Sequence, residues 1–432
     1  MQQQGLLVTL SLLLARAPLV SSWTPAPTHG SDLLASQSLA NLKSALADGS
    51  LKQELAKEGV AQTCGPDNWA VRREYSTLSD EEKLEYTRAV KCLMAKPSTV
   101  DPEQVPGARS RYDDFVAAHI NNTPYIHNSG YFLHWHRAFY WNFEQALRNE
   151  CGYKGYLPYW NHGKSSQDLI NSPYLDGSPT SQGGNGVYAK HGCAVGLPSR
   201  LLCIPAGAGG KLSLSLPCRS LTLPEYLPNI HLQTTNKPVH PSTGGCVETG
   251  PYAGLMMNIS ATVPTSEFVT AGPKFSYQPR CVRHDINNAL GQKWAGDERA
   301  VELLTGAAGQ AGIAEFDAGI ENTGTDTEGF YGLHQYGHFA VSGDPSGDFY
   351  NSPNEPLFWL HHGQVDRLWW IWQNQKPAER ALAIHGTRTM YNKPPSDDAT
   401  LEDVLQMDKS GEDVVFKDTV SSVGGKYCYI YE

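Results

Sequence analysis

Apolar residues recur at helical spacing along most of the chain, and the pattern fades where glycine, serine and proline gather. Residues 31–59 set Leu33, Leu34, Leu39, Leu42, Leu51 and Leu55 among polar neighbours, which predicts an amphipathic helix. Ser79 and Glu82 have the spacing of a capping box, so another helix should start after Ser79 and run to about Ala95. Residues 134–149 predict a third. The stretch around Phe358, Trp359, Leu360, Val365, Leu368, Trp369, Trp370 and Trp372 is so uniformly apolar and aromatic that it predicts a buried helix. From about 163 to 281 the periodicity is lost, and long loops are expected. Leu401–Met407 predicts a short helix and residues 412–431 predict strands. The apolar run from Gly5 to Ala15 is too short to span a bilayer, and Val20-Ser21-Ser22 resembles a signal-peptidase site. Residues 1–22 therefore read as a secretory signal. No later run of eighteen apolar residues follows, so no membrane anchor is expected.

The chemistry lies in the histidines. His334 and His338, within His334-Gln335-Tyr336-Gly337-His338, are one helical turn apart, so both rings lie on one face and can share a metal ion. A zinc protease of the His-Glu-x-x-His type needs a glutamate after the first histidine as general base. Gln335 cannot take a proton, so this helix is built to hold a metal without hydrolysis. His361 and His362 follow in the buried helix about 100° apart, and on spacing alone either could be a third ligand. Upstream, His119, His127 and His136 form another set, with His134 beside them. Two sets of three histidines with no cysteine or methionine at ligand spacing imply two metals bound by imidazole alone. Imidazole suits zinc, copper, iron and nickel, with copper bound tightest, and a blue-copper centre would need a cysteine.

The first set ending in His136-Arg137, taken with Phe358, His361-His362 and Val365-Asp366-Arg367, resembles the coupled dicopper (type 3) proteins: tyrosinases, catechol oxidases (polyphenol oxidases) and haemocyanins. The short secreted fungal type is the most similar, and the resemblance covers roughly residues 60–432. It implies a mainly α fold, in which a central antiparallel four-helix bundle holds the dicopper site under long disulfide-stapled loops and a few short strands. It assigns His119, His127 and His136 to the first copper, and His334, His338 and His362 to the second, because the later histidine of the family's pair is the ligand. His361 and His134 then become supporting or packing residues. Phe358 corresponds to a ring stacked beside the second copper. Gln335 stands where many tyrosinases have an asparagine that helps hold a water as base, and Glu321 or Glu328 are the nearest upstream carboxylates to complete such a pair. Tyr427-Cys428-Tyr429 resembles the family's closing Tyr-x-Tyr, which packs on an arginine, here Arg72 or Arg73. No large C-terminal lid domain is expected after it. Two departures stand out. Tyr125 replaces a cysteine that crosslinks to the middle ligand in many members, and Glu355 replaces an aspartate before the last ligand helix. From the residues themselves, Arg137 and Asp366 read as a buried pair between aromatic helices, with Glu144 joining them.

The expected activity is oxidation of o-diphenols (catechols) to o-quinones by O2 at two copper ions, with weak or absent monophenol hydroxylation. Alternatives are a tyrosinase with full monophenolase activity, an o-aminophenol or other tailoring oxidase, and a haemocyanin-like O2 carrier. Because the ligands fall at 119–136 and 334–362, both halves should be welded into one domain, residues 23–432. Nine cysteines match no zinc pattern and suit disulfides in a secreted chain, with one thiol left over. Asn121 and Asn258 head glycosylation sequons, and the segment between His119 and His127 should therefore be a surface loop. A net charge of −10 with few basic clusters argues against nucleic acid or an anionic membrane as partner. O2 and small phenols are the expected partners, for a monomer or small homo-oligomer.

Overall fold

The computed structural model describes residues 23–189, 244–266, 268–321 and 332–432, and over them the chain is mainly helical. Its principal helices are α1 His29–Ala47, α2 Ser50–Lys57, α3 Asp80–Ala95, α4 Arg111–Ile126, α5 Phe132–Cys151, α6 His162–Ser165, α7 Asn288–Trp294, α8 Asp297–Thr305, α9 Ala307–Ala311, α10 Ile313–Glu321, α11 Gly332–Val341 and α12 Leu357–Gln375. The strands are short: β1 Ala70–Arg72, β2 Gly186–Tyr188, β3 Gly244–Val247, β4 Met256–Ile259, β5 Tyr277–Cys281, β6 Val404–Leu405, β7 Val414–Val415 and β8 Tyr429–Tyr431. They pair two by two, β1 with β8 in parallel and the rest as antiparallel neighbours. None of the described helices is long and apolar enough to cross a membrane.

The capping box forms as the sequence indicates: Ser79 accepts from the Glu82 amide, and Glu82 accepts from Ser79 in return. Helix α12 is buried from Leu357 to Asn374, which explains its lack of a polar face. It packs on α1, α5 and α11. The approach to α5 is close, with Trp359 stacked on Phe143 at 3.5 Å. Gly363 is needed there, because a Cβ would lie 2.5 Å from the Tyr140 hydroxyl.

Three expectations are corrected. The helix read over 31–59 is two helices, broken at Gly49, whose φ of +76° suits glycine, and Leu33 faces solvent. The segment between His119 and His127 is not a loop but the end of α4. Pro124 is tolerated in its last turn, where Asn122 and Thr123 side chains donate to the Ala118 and His119 carbonyls. Asn121 lies exposed on that helix. Leu401–Met407 is a turn leading into β6, because Val404 and Leu405 pair with β7. Within 412–431 the strands β7 and β8 do form, separated by a 3-10 turn at Phe416–Thr419. Disulfides join Cys64 to Cys428, Cys92 to Cys151 and Cys246 to Cys281. Cys193, Cys203, Cys218 and residues 1–22 lie outside the described residues.

The buried pair of Arg137 and Asp366 is present and belongs to a larger knot. Asp366 Oδ1 accepts from Arg137 Nε at 2.8 Å, and its Oδ2 accepts from the Tyr429 and Tyr431 hydroxyls at 2.7 and 2.6 Å and from Arg72 Nη1 at 3.4 Å. Arg72 lies over the Tyr429 ring at 3.7 Å and donates to Glu144 at 3.1 Å, so Glu144 joins through Arg72 and not through Arg137. Arg73 instead pairs with Glu82 at the surface. The tyrosines that grip Asp366 are Tyr429 and Tyr431, two residues on from the pair expected, because β8 carries them onto β1 beside Arg72. Burial pushes the Asp366 carboxyl up, but Arg137, Arg72 and the two hydroxyls outweigh it and hold it below the usual range. Asp366→Ala strands the Arg137 charge in the interior and should cost about 3–5 kcal/mol, whereas Tyr431→Phe should cost about 2 kcal/mol. Urea denaturation measures both; equal small losses would show that the knot does not hold these helices.

Candidate metal centre

Four helices bring the histidines together: His119 comes from α4, His127 from the residue capping its end, His136 from α5, His334 and His338 from α11, and His361 and His362 from α12. They form two groups, His119–His127–His136 and His334–His338–His361–His362, and within each the ligand atoms all lie within 4.8 Å of one another. The rings of His136 and His362 stack at 4.6 Å and 10°, so the groups face each other.

Backbone carbonyls orient the first group. His119 Nδ1 meets the Tyr350 carbonyl at 2.9 Å, His127 Nδ1 that of Thr123 at 3.3 Å, and His136 Nδ1 that of Phe132 at 2.8 Å. A carbonyl can only accept, so each hydrogen sits on Nδ1 and each Nε2 keeps its lone pair for a metal. The Nε2 atoms of His119 and His136 are buried and have no protein partner. In the second group His334 and His338 approach through their Nε2 atoms at 3.2 Å. Both nitrogens of His362 are buried without a partner. Burial pushes His119 down to about 4 and His338 to about 3, and holds His127, His136, His334, His361 and His362 well below the usual histidine range. Neutral imidazoles with unpartnered inward lone pairs are a donor set that fits two copper ions.

Aromatic rings close around the groups. Phe358 packs at a tilt against His362 at 4.2 Å and also reaches His119 at 5.6 Å. Phe132 bears on His136 at 4.9 Å and His334 at 4.8 Å, and the half-buried Phe349 on His127 at 4.3 Å. Sequence reasoning missed Phe132 and Phe349. A signal for Phe132 was available: it precedes His136 by four residues, as Phe358 precedes His362. Gln335 is half-buried on α11 next to His334. Tyr125 is exposed on α4. His134 packs away from the centre, bonded to Thr419 at 2.8 Å and tilted against Phe416 at 4.1 Å, in the packing role expected of it.

The flanking acids are engaged. Both Glu321 oxygens accept from the Asn128 amide at 3.0 and 2.9 Å, which clamps the turn after His127; Glu328 lies outside the described residues. Glu355 accepts from the Leu357 amide at 3.2 Å at the start of α12 and pairs with buried His284 at 2.7 Å. Of the sequon residues, Asn258 donates to Asp113 at 2.9 Å and is half-buried, whereas Asn121 is exposed.

Comparison with known proteins decides the family. Residues 109–375 match the model of the common central domain of tyrosinase. The chain belongs to the tyrosinase family. It is 34% identical over 370 residues to "Tyrosinase P" of Aspergillus terreus, covering 84% of this chain and 92% of that one. It is 37% identical over 349 residues to "Tyrosinase-like protein orsC" of Emericella nidulans, covering 79% and 83%. "N-acetyl-6-hydroxytryptophan oxidase ivoB" of the same organism is 33% identical over 383 residues, covering 86% and 94%. The solved structure of a polyphenol oxidase variant from Thermothelomyces thermophila superposes with a TM-score of 0.77 at 33% identity, covering 94% of this chain and 98% of that one. The family fold implies a dicopper centre, and both histidine groups lie within the matched residues.

The depressed histidines make a pH prediction for the metal-free tyrosinase-family chain. Unfolded histidine titrates near 6.5, so between pH 6.5 and about 4 the unfolded chain binds protons that folded His119 does not. Stability is then full above pH 6.5 and falls as pH drops, by about 3 kcal/mol for His119 alone. Urea titrations across that window should show this fall, and His119→Phe should reduce its slope by about one proton. A flat profile would contradict the neutral, buried state of these rings.

Proposed function

We propose that residues 23–432 act as one secreted oxidase domain that converts o-diphenols to o-quinones with O2, and that monophenols are poor substrates. His119, His127 and His136 would hold one copper, and His334, His338 and His362 the other. When bound, the copper pair supplies the electron transfer between phenol and O2. Two diphenols and one O2 give two quinones and two waters. The protein's own part is to keep six imidazoles neutral and aimed, to wall the site with Phe132, Phe349 and Phe358 so that a planar ring fits, and to exclude bulk water. His362 is preferred to His361 because neither of its nitrogens has a protein partner, whereas His361 is bonded to His162.

The observation that carries the selectivity is the engagement of Glu321 by the Asn128 amide. A monophenol must lose a proton with a pKa near 10 before it can bind as phenolate, which costs about 4 kcal/mol at pH 7 without a nearby base. With Glu321 clamping a turn and Gln335 longer by one carbon than asparagine, the described residues offer no matched pair to hold a basic water. A related reading, oxidation of an o-aminophenol or an indolic phenol, draws support from the relative described as an N-acetyl-6-hydroxytryptophan oxidase.

Purified protein should carry two coppers per chain. His136→Ala and His338→Ala should each abolish oxidase activity, and His362→Ala should lower copper content while His361→Ala leaves it near normal. A full complement of zinc, or unchanged turnover in the first two variants, overturns the reading. Catechol, 2-aminophenol and tyrosine supplied under air separate the substrate classes. Gln335→Asn should raise the ratio of monophenol to diphenol turnover; ready hydroxylation of tyrosine by the wild type would refute the selectivity.

A further inference from the structure

The segment between β5 and α7 touches both helices that carry the second histidine group. The amides of Asp285 and Asn287 donate to the Val341 and Ala340 carbonyls at 3.0 and 2.8 Å, filling two of the acceptors that the end of α11 leaves open. Beside them Arg283 and Asp344 exchange backbone hydrogen bonds at 2.6 and 3.1 Å. Gly343 permits that approach, because its φ is +73° and a Cβ there would lie 2.2 Å from the Arg283 carbonyl. Between these contacts the buried His284 spans two partners. Its Nδ1 meets the Gly184 carbonyl at 2.8 Å, and its Nε2 meets Glu355 Oε2 at 2.7 Å. The other oxygen of Glu355 accepts from the Leu357 amide, the first of α12, at 3.2 Å. A carbonyl and a carboxylate both accept, so both ring nitrogens of His284 donate. Burial pushes the His284 ring down, but Glu355 and the Gly184 carbonyl outweigh it and hold it above the usual histidine range.

The same short segment therefore grips the end of α11 and the start of α12. His338 lies in the last turn of α11 and His362 in the second turn of α12, with their rings 5.6 Å apart. The separation of those two helix ends sets where the rings meet. Further along α12, Asp366 ties the helix to α5 instead. The first group has its own support: the Tyr350 carbonyl orients His119, and Asp348 holds that turn by accepting from the Tyr350 and Asn351 amides at 3.0 and 3.3 Å. We infer that His284 and Glu355 are positioning residues for the second metal site alone, whose bridge fixes α12 against α11 and so fits His334, His338 and His362 around one ion. This inference rests on the dicopper reading above.

Its test is copper retention by the whole chain in competition with a chelator, for wild type, Glu355→Gln, and Glu355→Gln with His284→Asn. Glutamine keeps both arms of the bridge, since its oxygen accepts from Leu357 and its N–H donates to a neutral His284. Asparagine keeps a donor for Gly184 but lacks the far nitrogen, so the double variant loses only the bridge and strands no charge. Wild type and Glu355→Gln should both retain two coppers. The double variant should keep the first copper and hold the second about tenfold more weakly, the lower end of what outer-shell residues do to metal affinity. Under the chelator it should settle at one copper per chain, seen by EPR as a lone paramagnetic Cu(II). Adding His119→Ala should remove that copper, and adding His338→Ala should leave it. A merely damaged fold would release both ions. Two coppers retained by the double variant, loss of both together, or an equal loss in Glu355→Gln overturns the proposal while leaving the dicopper reading intact. Failure of wild type to take up two coppers overturns both. Should the double variant not fold, Glu355→Asp replaces it under the same criteria, because aspartate still reaches the Leu357 amide but falls one carbon short of His284.

Discussion

The Asp366 carboxylate is the constraint on which the rest of the site depends. It joins α12 to α5 through Arg137, and to both ends of the chain through Arg72, Tyr429 and Tyr431. Arg137 follows the ligand candidate His136 directly, and Asp366 lies one turn beyond His362. Fixing those two side chains therefore fixes the register in which His136 and His362 stack. Buried ion pairs add little net stability once desolvation is counted. Their strength here lies in geometry: two arginines, two carboxylates and two phenols satisfy one another in few arrangements, and those arrangements set the helix register.

Within that frame the two histidine groups are built on a shared plan and then diverge. A phenylalanine stands one turn before His136 and one before His362, packed at a tilt against the ring in each case. The first group draws its orientation from carbonyls, two of them one turn back on its own chain, at Thr123 and Phe132. Local geometry alone fixes those tautomers. In the second group neither nitrogen of His362 has a partner, and His361 is placed by a distant residue, His162, with Gly337 leaving room for its ring.

What could be read from the sequence was what is local. The i, i+4 histidines, the Ser79 capping box and the fully apolar character of α12 each follow from spacing within one turn or one helix. Arg137 and Asp366 were readable as partners because charges in otherwise aromatic helices have nowhere else to go. The misreadings share a cause. Asn121 suggested a loop because a sequon favours exposure, yet one face of a helix is exposed too. Tyr431 was passed over because its role depends on the parallel pairing of β8 with β1, which no local pattern encodes. Glu321, Phe349 and His162 act across 193, 222 and 199 residues of chain respectively, at distances where sequence order says nothing about contact.

The position of Glu321 bears on more than folding. A carboxylate next to a metal group can serve as a base, or it can be used as structure, and its partner decides which. Both its oxygens face one backbone amide, and the residue they hold, Asn128, has a φ of 45°, in the left-handed region that non-glycine residues seldom occupy. The turn that delivers His127 thus needs an acceptor at that point. Burial, and then Asp317 nearby, push the Glu321 carboxyl well above its usual range, against the Asn128 amide, which favours the charged form. Asp317 is itself bonded to His385 at 2.9 Å. On the reading proposed above, an acid committed in this way is structure and not base, and a monophenol would have to lose its proton without help from Glu321.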